Sequence, residues 1–201
     1  IVQWAFKVIT RLSGVSVTVI GEENIPDEAV LFIGNHRSYF DIVLTYSRCK
    51  RLTGYIAKKE VQKVPFLSVW MQYLYCLFLD RENAKEGLKT ILKAIEYVKN
   101  GISIFIFPEG TRNKGEELSL LPFKDGAFRI ATKTGCPIVP VSLNNTADIL
   151  ENHFPHIKKT HVVIEYGKPI YPNELDAETK KHIGAYVQNI VQETINKNAE
   201  I

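Results

Sequence analysis

Three short runs of apolar residues are each followed at once by polar side chains, and this pattern constrains the fold more than any other feature. The runs are 29–33, 74–79 and 102–107, and none contains a charged residue. Continuous apolar runs of this length are typical of strands that are buried on both faces of a parallel sheet. Because parallel strands end at the same edge of the sheet, we expect the polar residues that follow them to meet there.

The segments between these runs alternate between helix and strand signals. Residues 84–100 carry apolar side chains at helical spacing, and Asn100-Gly101 supplies a helix stop. Further strands are predicted at 15–19, 55–57, 138–143 and 162–166, and further helices at 61–73 (after Pro65), 123–134 and 177–197. The alternation predicts an α/β fold, with one layered domain built on a mostly parallel central sheet flanked by helices.

The first fourteen residues, 1–14, are set apart as an amphipathic helix ahead of a domain at 15–201. Two interpretations of this helix are open. It could lie in a membrane interface with Trp4 near the headgroups, or it could pack on the domain as an ordinary terminal helix. No apolar run reaches the roughly 20 residues that a transmembrane helix needs.

The charge balance argues against a nucleic-acid partner, because the formal net charge is only +3. A mildly basic chain can still prefer an anionic membrane surface or phosphorylated substrates. The three cysteines are widely spaced and odd in number, which predicts reduced thiols in a cytosolic protein. No zinc-ligand spacing, Walker loop or GxGxxG motif occurs, so we predict neither a metal ion nor a nucleotide cofactor.

His36 and Asp41 follow the strand that is predicted at 29–33. A histidine can act as a general base near neutral pH. A carboxylate that accepts its ring N–H fixes the tautomer and favours the imidazolium, as in a serine hydrolase triad. No serine nucleophile is needed if the substrate supplies the hydroxyl. The alternative is a histidine at a strand end and an aspartate that caps a helix, and the pair alone does not decide between them.

Candidate phosphate-binding residues occupy the other polar clusters. Residues 107–112, FPEGTR, place a carboxylate, a glycine, a hydroxyl and a guanidinium in one loop, and arginine presents a fork that suits phosphate oxygens. Arg81 follows the run at 74–79, and Lys124 lies at a predicted helix start. The structural alternatives are a turn in which Glu109 and Arg112 pair with each other or with water, a surface ion pair at Arg81, and an ordinary helix start.

In their order and spacing these clusters resemble the motifs of the glycerolipid acyltransferase family. Residues 36–41 match HxxxxD, and 107–112 read FPEGTR, the most recognisable block of the family. The stretch 75–81, YCLFLDR, is similar to the motif G-x-I-F-I-D-R, and 138–141 resemble the last motif. HxxxxD alone is unspecific, but its combination with FPEGTR is highly specific. The similarity runs over about 15–169 and is close to the bacterial PlsC type.

The resemblance implies transfer of an acyl group from acyl-CoA or acyl-ACP to the 2-hydroxyl of lysophosphatidic acid, which gives phosphatidic acid. It implies that His36 is the base and that Asp41 holds its ring. The acceptor phosphate site would be shaped by Arg81, Glu109, Gly110, Thr111, Arg112 and Lys124. It further implies no cofactor beyond the acyl thioester, and a location at the cytoplasmic face of the cell membrane, peripheral or anchored by the helix at 1–14.

Two departures from the family pattern bear on the acceptor. Tyr75 stands where the second motif usually has glycine, and Asp125 stands where many relatives carry a second lysine. Glycerol-3-phosphate, another lysophospholipid and a lyso-aminolipid therefore stay open as acceptors. Outside the transferases, the alternatives are a thioesterase-type hydrolase and a catalytically silent lipid-binding module.

Four aromatic residues between the second and third motif strands bear on the membrane question. Phe66, Trp70, Tyr73 and Tyr75 could contact a membrane if they were exposed. We expect most of them to lie in the protein core instead.

Overall fold

One seven-stranded sheet organises the chain in a computed structural model that describes all residues, 1–201. The strands are β1 (Ser16–Ile20), β2 (Leu31–Gly34), β3 (Thr53–Lys58), β4 (Leu77–Leu79), β5 (Ser103–Ile106), β6 (Ile138–Asn144) and β7 (His161–Tyr166). The helices are α1 (Val2–Leu12), α2 (Phe40–Tyr46), α3 (Leu67–Tyr73), α4 (Ala84–Lys99), α5 (Arg129–Thr134), α6 (Ala177–Lys181) and α7 (Ile183–Asn198). In the order β1-β7-β6-β2-β5-β3-β4, every neighbouring pair is parallel except β6 with β7. The predicted α/β fold with a mostly parallel sheet is therefore confirmed.

The sheet is buried on both faces by two apolar clusters. Successive side chains of a strand point to opposite faces, so Leu31 and Ile33 of β2 join one cluster while Phe32 joins the other. Helices α4, α5 and α7 contribute to the first cluster, and α2 contributes Phe40 and Leu44 to the second. Burial on both faces explains why β2 and β5 are uninterrupted apolar runs in the sequence.

Helix α4 matches its prediction closely because both of its ends are specified locally. The Asn83 side chain accepts hydrogen bonds from the backbone N–H groups of Lys85 and Glu86, which satisfies donors that the helix itself leaves free. At the other end, Asn100 closes the helix and Gly101 adopts φ +82.

Three elements differ from their predictions. The strand expected at 74–79 is only β4, because Tyr75 has φ +59 and forms a turn before the strand begins. The helix expected at 123–134 opens as a 3₁₀ turn and becomes α-helical only in α5. The helix expected at 177–197 is divided into α6 and α7 at His182, whose φ of −110° and ψ of 30° are not helical.

The segment between β3 and β4 exposes its aromatic residues, so the expectation that most of them lie in the core is wrong. Phe66, Trp70 and Tyr73 are exposed. The contact with the sheet is made by Met71 and Leu74, which pack against the second apolar cluster and leave the larger rings outside. As expected, the α-helical part of this segment begins only after Pro65, although a 3₁₀ helix, Lys59–Lys63, precedes it.

Helix α1 packs on α2 along one side only. The Phe6 ring lies edge-on to Tyr46 at a centroid distance of 5.8 Å, and Gln3 Nε2 donates to the Cys49 carbonyl at 2.6 Å. On the rest of its surface Trp4 and Leu12 are exposed, and the helix contains no buried residue. No helix of the protein combines the length and the apolar character that crossing a bilayer would require.

Candidate active site

The polar clusters meet at the carboxyl edge of the sheet, as the sequence predicts. His36 follows β2, Glu109 follows the neighbouring strand β5, and Arg81 follows β4 at the end of the same side of the sheet. The backbone N–H of His36 donates to Glu109 Oε1 at 2.7 Å, which joins the loops after β2 and β5 directly. Parallel pairing thus brings residues together that lie far apart in the sequence.

His36 and Asp41 form a hydrogen-bonded pair at this edge. The distance from Nδ1 to Oδ2 is 2.7 Å, and Asp41 is fully buried while the imidazole keeps 16% of its surface exposed. Because the Nδ1 proton is directed to the carboxylate, the lone pair of the neutral ring lies on Nε2. Nε2 has no hydrogen-bond partner in the protein, so it is free to take a proton from a substrate hydroxyl.

The start of α2 holds the carboxylate of Asp41 in place. Its Oδ2 also accepts from the backbone N–H groups of Arg37 at 2.7 Å and Ser38 at 2.8 Å. The two donors belong to the residues just before the helix, and the carboxylate itself lies in the first turn of α2, where a negative charge is stabilised. Asp41 therefore ties the residues before α2 to the first turn of the helix and orients the imidazole at the same time, but it does not cap the helix, whose N-cap Tyr39 has no side-chain cap hydrogen bond.

Glu151 ties three loops of the site together. Its carboxylate accepts from Ser38 Oγ at 2.6 Å, from the backbone N–H of Tyr39 at 2.8 Å and from Arg112 Nη1 at 3.0 Å. These partners follow β2 and β5, whereas Glu151 follows β6. Its carboxylate thus adds a second negative group at the start of α2.

An aromatic wall supports the imidazole from one side. The ring of Phe107 stacks on His36 with a centroid distance of 4.2 Å and an interplanar angle of 16°. Phe107 packs on Phe105, which is stacked on Tyr55 at 4.9 Å. A Cβ at Gly34 would lie 3.1 Å from the Phe105 ring, so the glycine makes room for this wall. The stacking restrains the plane of the ring and keeps water from one of its faces.

The buried carboxylate of Glu109 holds two loop backbones in place and has no cationic partner. Its Oε1 accepts from His36, and its Oε2 accepts from the backbone N–H of Leu121 at 2.9 Å. Burial raises the pKa of the Glu109 carboxyl, although both hydrogen bonds oppose the change. The turn in which Glu109 would pair with Arg112 does not form, because Arg112 pairs with Glu151 instead.

Two cations converge over the backbone of Gly110. This residue has φ +77, and a Cβ on it would lie 3.0 Å from Lys124 Nζ and 3.4 Å from Arg81 Cζ. Neither cation forms an ion pair, so the alternative of a surface ion pair at Arg81 is wrong. Partial burial lowers the pKa of Arg81 below its ordinary value, but a guanidinium keeps its charge at neutral pH. Like charges held this close are suited to an anion with several oxygens.

Arg112 and Thr111 occupy different surroundings. The Arg112 guanidinium lies 3.8 Å from the Tyr39 ring centroid, and its Nη2 donates to Tyr39 Oη at 3.1 Å. With Glu151 on Nη1, its contacts are taken up within the protein, and its assignment to the acceptor phosphate stays a prediction. Thr111 is exposed, so its hydroxyl is open to a ligand. No group of three or more His, Cys, Asp or Glu side chains is arranged to hold a metal ion.

Comparison with known proteins decides the family. The acyltransferase family matches residues 16–144, which include His36, Asp41 and all three loops that follow β2, β4 and β5. The chain belongs to the acyltransferase family. A 1-acyl-sn-glycerol-3-phosphate acyltransferase of Saccharomyces cerevisiae is 34% identical over 197 residues, which cover 98% of this chain and 64% of that protein. The protein of the same name from Haemophilus influenzae is 31% identical over 167 residues, covering 82% of this chain and 68% of its own length.

A solved acyltransferase shares the fold. The crystal structure of the 1-acyl-sn-glycerophosphate (LPA) acyltransferase PlsC from Thermotoga maritima superposes with a TM-score of 0.84 at 29% identity. The match covers 98% of this chain and 78% of the Thermotoga chain. The chain spans less than two thirds of the length of the yeast relative, at 64%.

The structure explains how this chain accommodates tyrosine where the second motif of the family usually has glycine. Tyr75 keeps a positive φ of 59°, a conformation that glycine adopts at no cost. Its ring packs edge-on against Tyr97 at 5.5 Å, which offsets part of the backbone strain. The Tyr75 carbonyl also lies so close to Gly54 that no Cβ fits between them. The departure therefore changes the side chain and preserves the turn.

Three contacts of the site carry no signal in the sequence. Besides Glu151, the Asn35 side chain donates to the Leu143 carbonyl at 2.9 Å and accepts from its N–H at 2.8 Å, which joins the ends of β2 and β6. The backbone N–H of Asn113 donates to the His36 carbonyl at 2.7 Å. All three join loops that are distant in the sequence, so only the fold identifies them.

Proposed function

We propose that this acyltransferase moves a fatty acyl group from a thioester donor to the 2-hydroxyl of 1-acyl-glycerol-3-phosphate, which gives phosphatidic acid. One observation carries the proposal. A base with a free Nε2, His36, shares the sheet edge with two unpaired cations, Arg81 and Lys124, that converge on Gly110. The base and the two cations together suit an acceptor that has both a hydroxyl and a phosphate monoester. The names of the yeast, Haemophilus and Thermotoga relatives describe the same acceptor.

The reaction follows from the positions of these groups. The acceptor phosphate lies against Arg81 and Lys124, and its glycerol directs the 2-hydroxyl to His36 Nε2. The hydroxyl oxygen attacks the thioester carbonyl carbon as its proton passes to Nε2, and Asp41 stabilises the resulting imidazolium. A C–O bond forms and the C–S bond breaks, and the departing sulfur takes the proton from Nε2. Holding the acceptor hydroxyl close to the thioester carbonyl, in the right orientation, contributes to the rate together with the proton transfer.

The donor is acyl-CoA or acyl-ACP, and the acceptor is a membrane lipid. We therefore place the protein at a membrane surface, on the cytoplasmic side of the cell membrane, where both kinds of thioester occur. Helix α1 supports this location because Trp4 and Leu12 are exposed while Lys7 and Arg11 supply positive charge.

Purified protein tests the proposal directly. Detergent-dispersed lysophosphatidate is mixed with palmitoyl-CoA and, separately, with palmitoyl-ACP, and mass spectrometry follows phosphatidate. We expect product with at least one donor and almost none from His36→Ala. A reaction without acceptor is the control for hydrolysis. Free palmitate in that control, with no phosphatidate when acceptor is present, would identify a thioesterase and refute the transferase.

A further inference from the structure

Helix α3 and the residues before it have their apolar side facing solvent. The exposed fractions are 82% for Phe66, 54% for Trp70 and 78% for Tyr73. The one buried residue of α3 is Ser68. A surface helix normally buries its apolar stripe and exposes its polar residues. Contiguous exposed apolar side chains of this kind mark a surface that contacts something else.

A strained turn holds the most exposed of these rings outward. Phe66 has φ 62 and ψ −48, and the N–H of Leu67 donates to the carbonyl of Pro65 at 2.7 Å. This is a γ-turn of the rare strained form, which non-glycine residues seldom adopt. Strained residues cluster at ligand-contacting positions. The strain here is not offset by burial of the ring, because Phe66 projects from the protein.

The charges around this segment match an anionic lipid surface. No charged residue occurs from Val64 to Leu79. Lys63 lies immediately before the apolar stretch and is exposed without an ion pair, and Lys58 is exposed and pairs with Glu60 at 3.8 Å. Tryptophan and tyrosine favour the interfacial zone of a bilayer, and lysines are attracted to anionic headgroups. Apolar side chains with positive charge at their margin therefore fit the boundary between headgroups and acyl chains.

The segment is also tied to the acceptor side of the active site. Lys59 Nζ forms an ion pair with Asp80 Oδ2 at 2.7 Å, and Asp80 is the residue before Arg81. The same chain continues from α3 through β4 to this arginine. Residues 64–73 therefore lead, through β4, directly into the loop that carries Arg81.

We propose that residues 64–73 form a lipid-contacting rim, which inserts Phe66 and Trp70 into the interface of an anionic bilayer beside the acceptor site. The rim is separate from α1. The inference rests on the proposed function in one respect, the lipid nature of the acceptor. Its consequence is that the acceptor keeps its acyl chain in the bilayer while its headgroup binds at the sheet edge.

The chain contains two tryptophans, Trp4 and Trp70, so each surface can be followed alone. The Trp4→Phe variant keeps Trp70 of the rim as its single tryptophan, and the Trp70→Phe variant keeps Trp4 of α1. Each variant is mixed with phosphatidylglycerol vesicles that carry bromine at a shallow or a deep position of the acyl chain. We expect Trp70 fluorescence to shift to shorter wavelength and to be quenched more strongly by the shallow bromine.

A matched pair of substitutions tests the contribution of the rim to binding. Phe66→Ser removes a ring of the rim, and Phe154→Ser removes an equally exposed ring elsewhere, at 78% exposure. We expect Phe66→Ser to weaken vesicle binding about tenfold, the effect of losing one large buried apolar side chain, and Phe154→Ser to leave it unchanged. With a short-chain, water-soluble acceptor, Phe66→Ser should keep wild-type turnover.

Two outcomes would overturn the inference. If vesicles leave Trp70 unchanged while Trp4 is quenched, the membrane contact belongs to α1 alone. If Trp70 is already shielded without vesicles and light scattering shows a dimer that Phe66→Ser dissociates, a second copy covers the rim. Failure of the wild type to acylate the short-chain acceptor is a different result, because it refutes the proposed function whatever the tryptophans report.

Discussion

The backbone of Gly110 lies beneath the ammonium group of Lys124, with 3.0 Å from the position of a Cβ to Nζ. An added methyl group would press on Lys124 and would come into van der Waals contact with Arg81, and φ +77 would strain the backbone further. We expect Gly110→Ala to raise the KM for lysophosphatidate about tenfold, comparable to the loss of one hydrogen bond to a charged group. Steady-state kinetics with detergent-dispersed acceptor measures the effect.

Gly126 offers a matched control for this substitution, because a Cβ there would meet nothing within 4 Å. Gly126→Ala should leave KM near the wild-type value. Equal increases in both variants would mean that Gly110 has no particular relation to the acceptor.

Asp41→Asn should lower kcat without much change in KM. The amide oxygen can still accept from the backbone N–H groups of Arg37 and Ser38, so the start of α2 is kept. The negative charge that favours the imidazolium is lost, and we expect kcat to fall about 10²–10⁴-fold, the usual range for general-base catalysis. Kinetics together with circular dichroism separate this effect from unfolding. An unchanged kcat in a folded variant would remove Asp41 from the mechanism.

Glu109 should make stability depend on pH in a defined direction. Burial raises the pKa of its carboxyl above the ordinary 4.5. Between 4.5 and the raised value, the folded protein binds more protons at this group than the unfolded chain does, so stability falls as pH rises through that window. Glu109→Gln does not titrate. The free energy of unfolding of the wild type relative to this variant should therefore decline as pH rises and then level off.

Urea denaturation of both proteins at constant ionic strength, in steps from mildly acidic to neutral pH, measures this difference. All other titrating groups are common to the two proteins and cancel. A difference that grows with pH would be the signature of a lowered pKa and would contradict the role given to burial.

Gly54→Ala should destabilise the protein and leave the residues of the active site unchanged. A Cβ there would collide with the backbone carbonyl of Tyr75, and a backbone atom cannot rotate away as a side chain could. We expect a loss of about 1–3 kcal/mol in the free energy of unfolding, as for overpacked cores. Urea denaturation measures it, with Gly126→Ala as the reference for a glycine that has open space around it. Equal stability of the two variants would show that the turn at Tyr75 can move.

The sequence predicts the sheet well because its signals are local. The apolar runs of β2 and β5 indicate strands that are buried on both faces of the sheet. The polar residues after these strands indicate the common sheet edge where His36 and Glu109 meet. Helix α4 is predicted nearly to the residue because Asn100-Gly101 encodes its end. The strand before Arg81 is overestimated because the positive φ of Tyr75 has no signature in a tyrosine.

Other features depend on tertiary contacts that no local pattern records. Phe66 and Trp70 are as apolar as core residues, and only the packing of Met71 and Leu74 against the sheet decides that the rings face outward. Glu151 lies in a polar loop like many others, 113 residues from the serine that it binds. The helix predicted at 177–197 breaks at His182, although its amphipathic pattern continues through that residue.

Glu151 has a bearing on how small a working version of this protein can be. The segment that defines the family ends at residue 144, yet the carboxylate that joins Ser38, Tyr39 and Arg112 lies beyond it. A fragment trimmed to the shared segment would retain both His36 and Asp41 and lose the carboxylate that holds their loop to its neighbours. The segment shared by the family is thus shorter than the part of the chain that builds the site, and any shortened version has to keep the residues after β6 that supply Glu151.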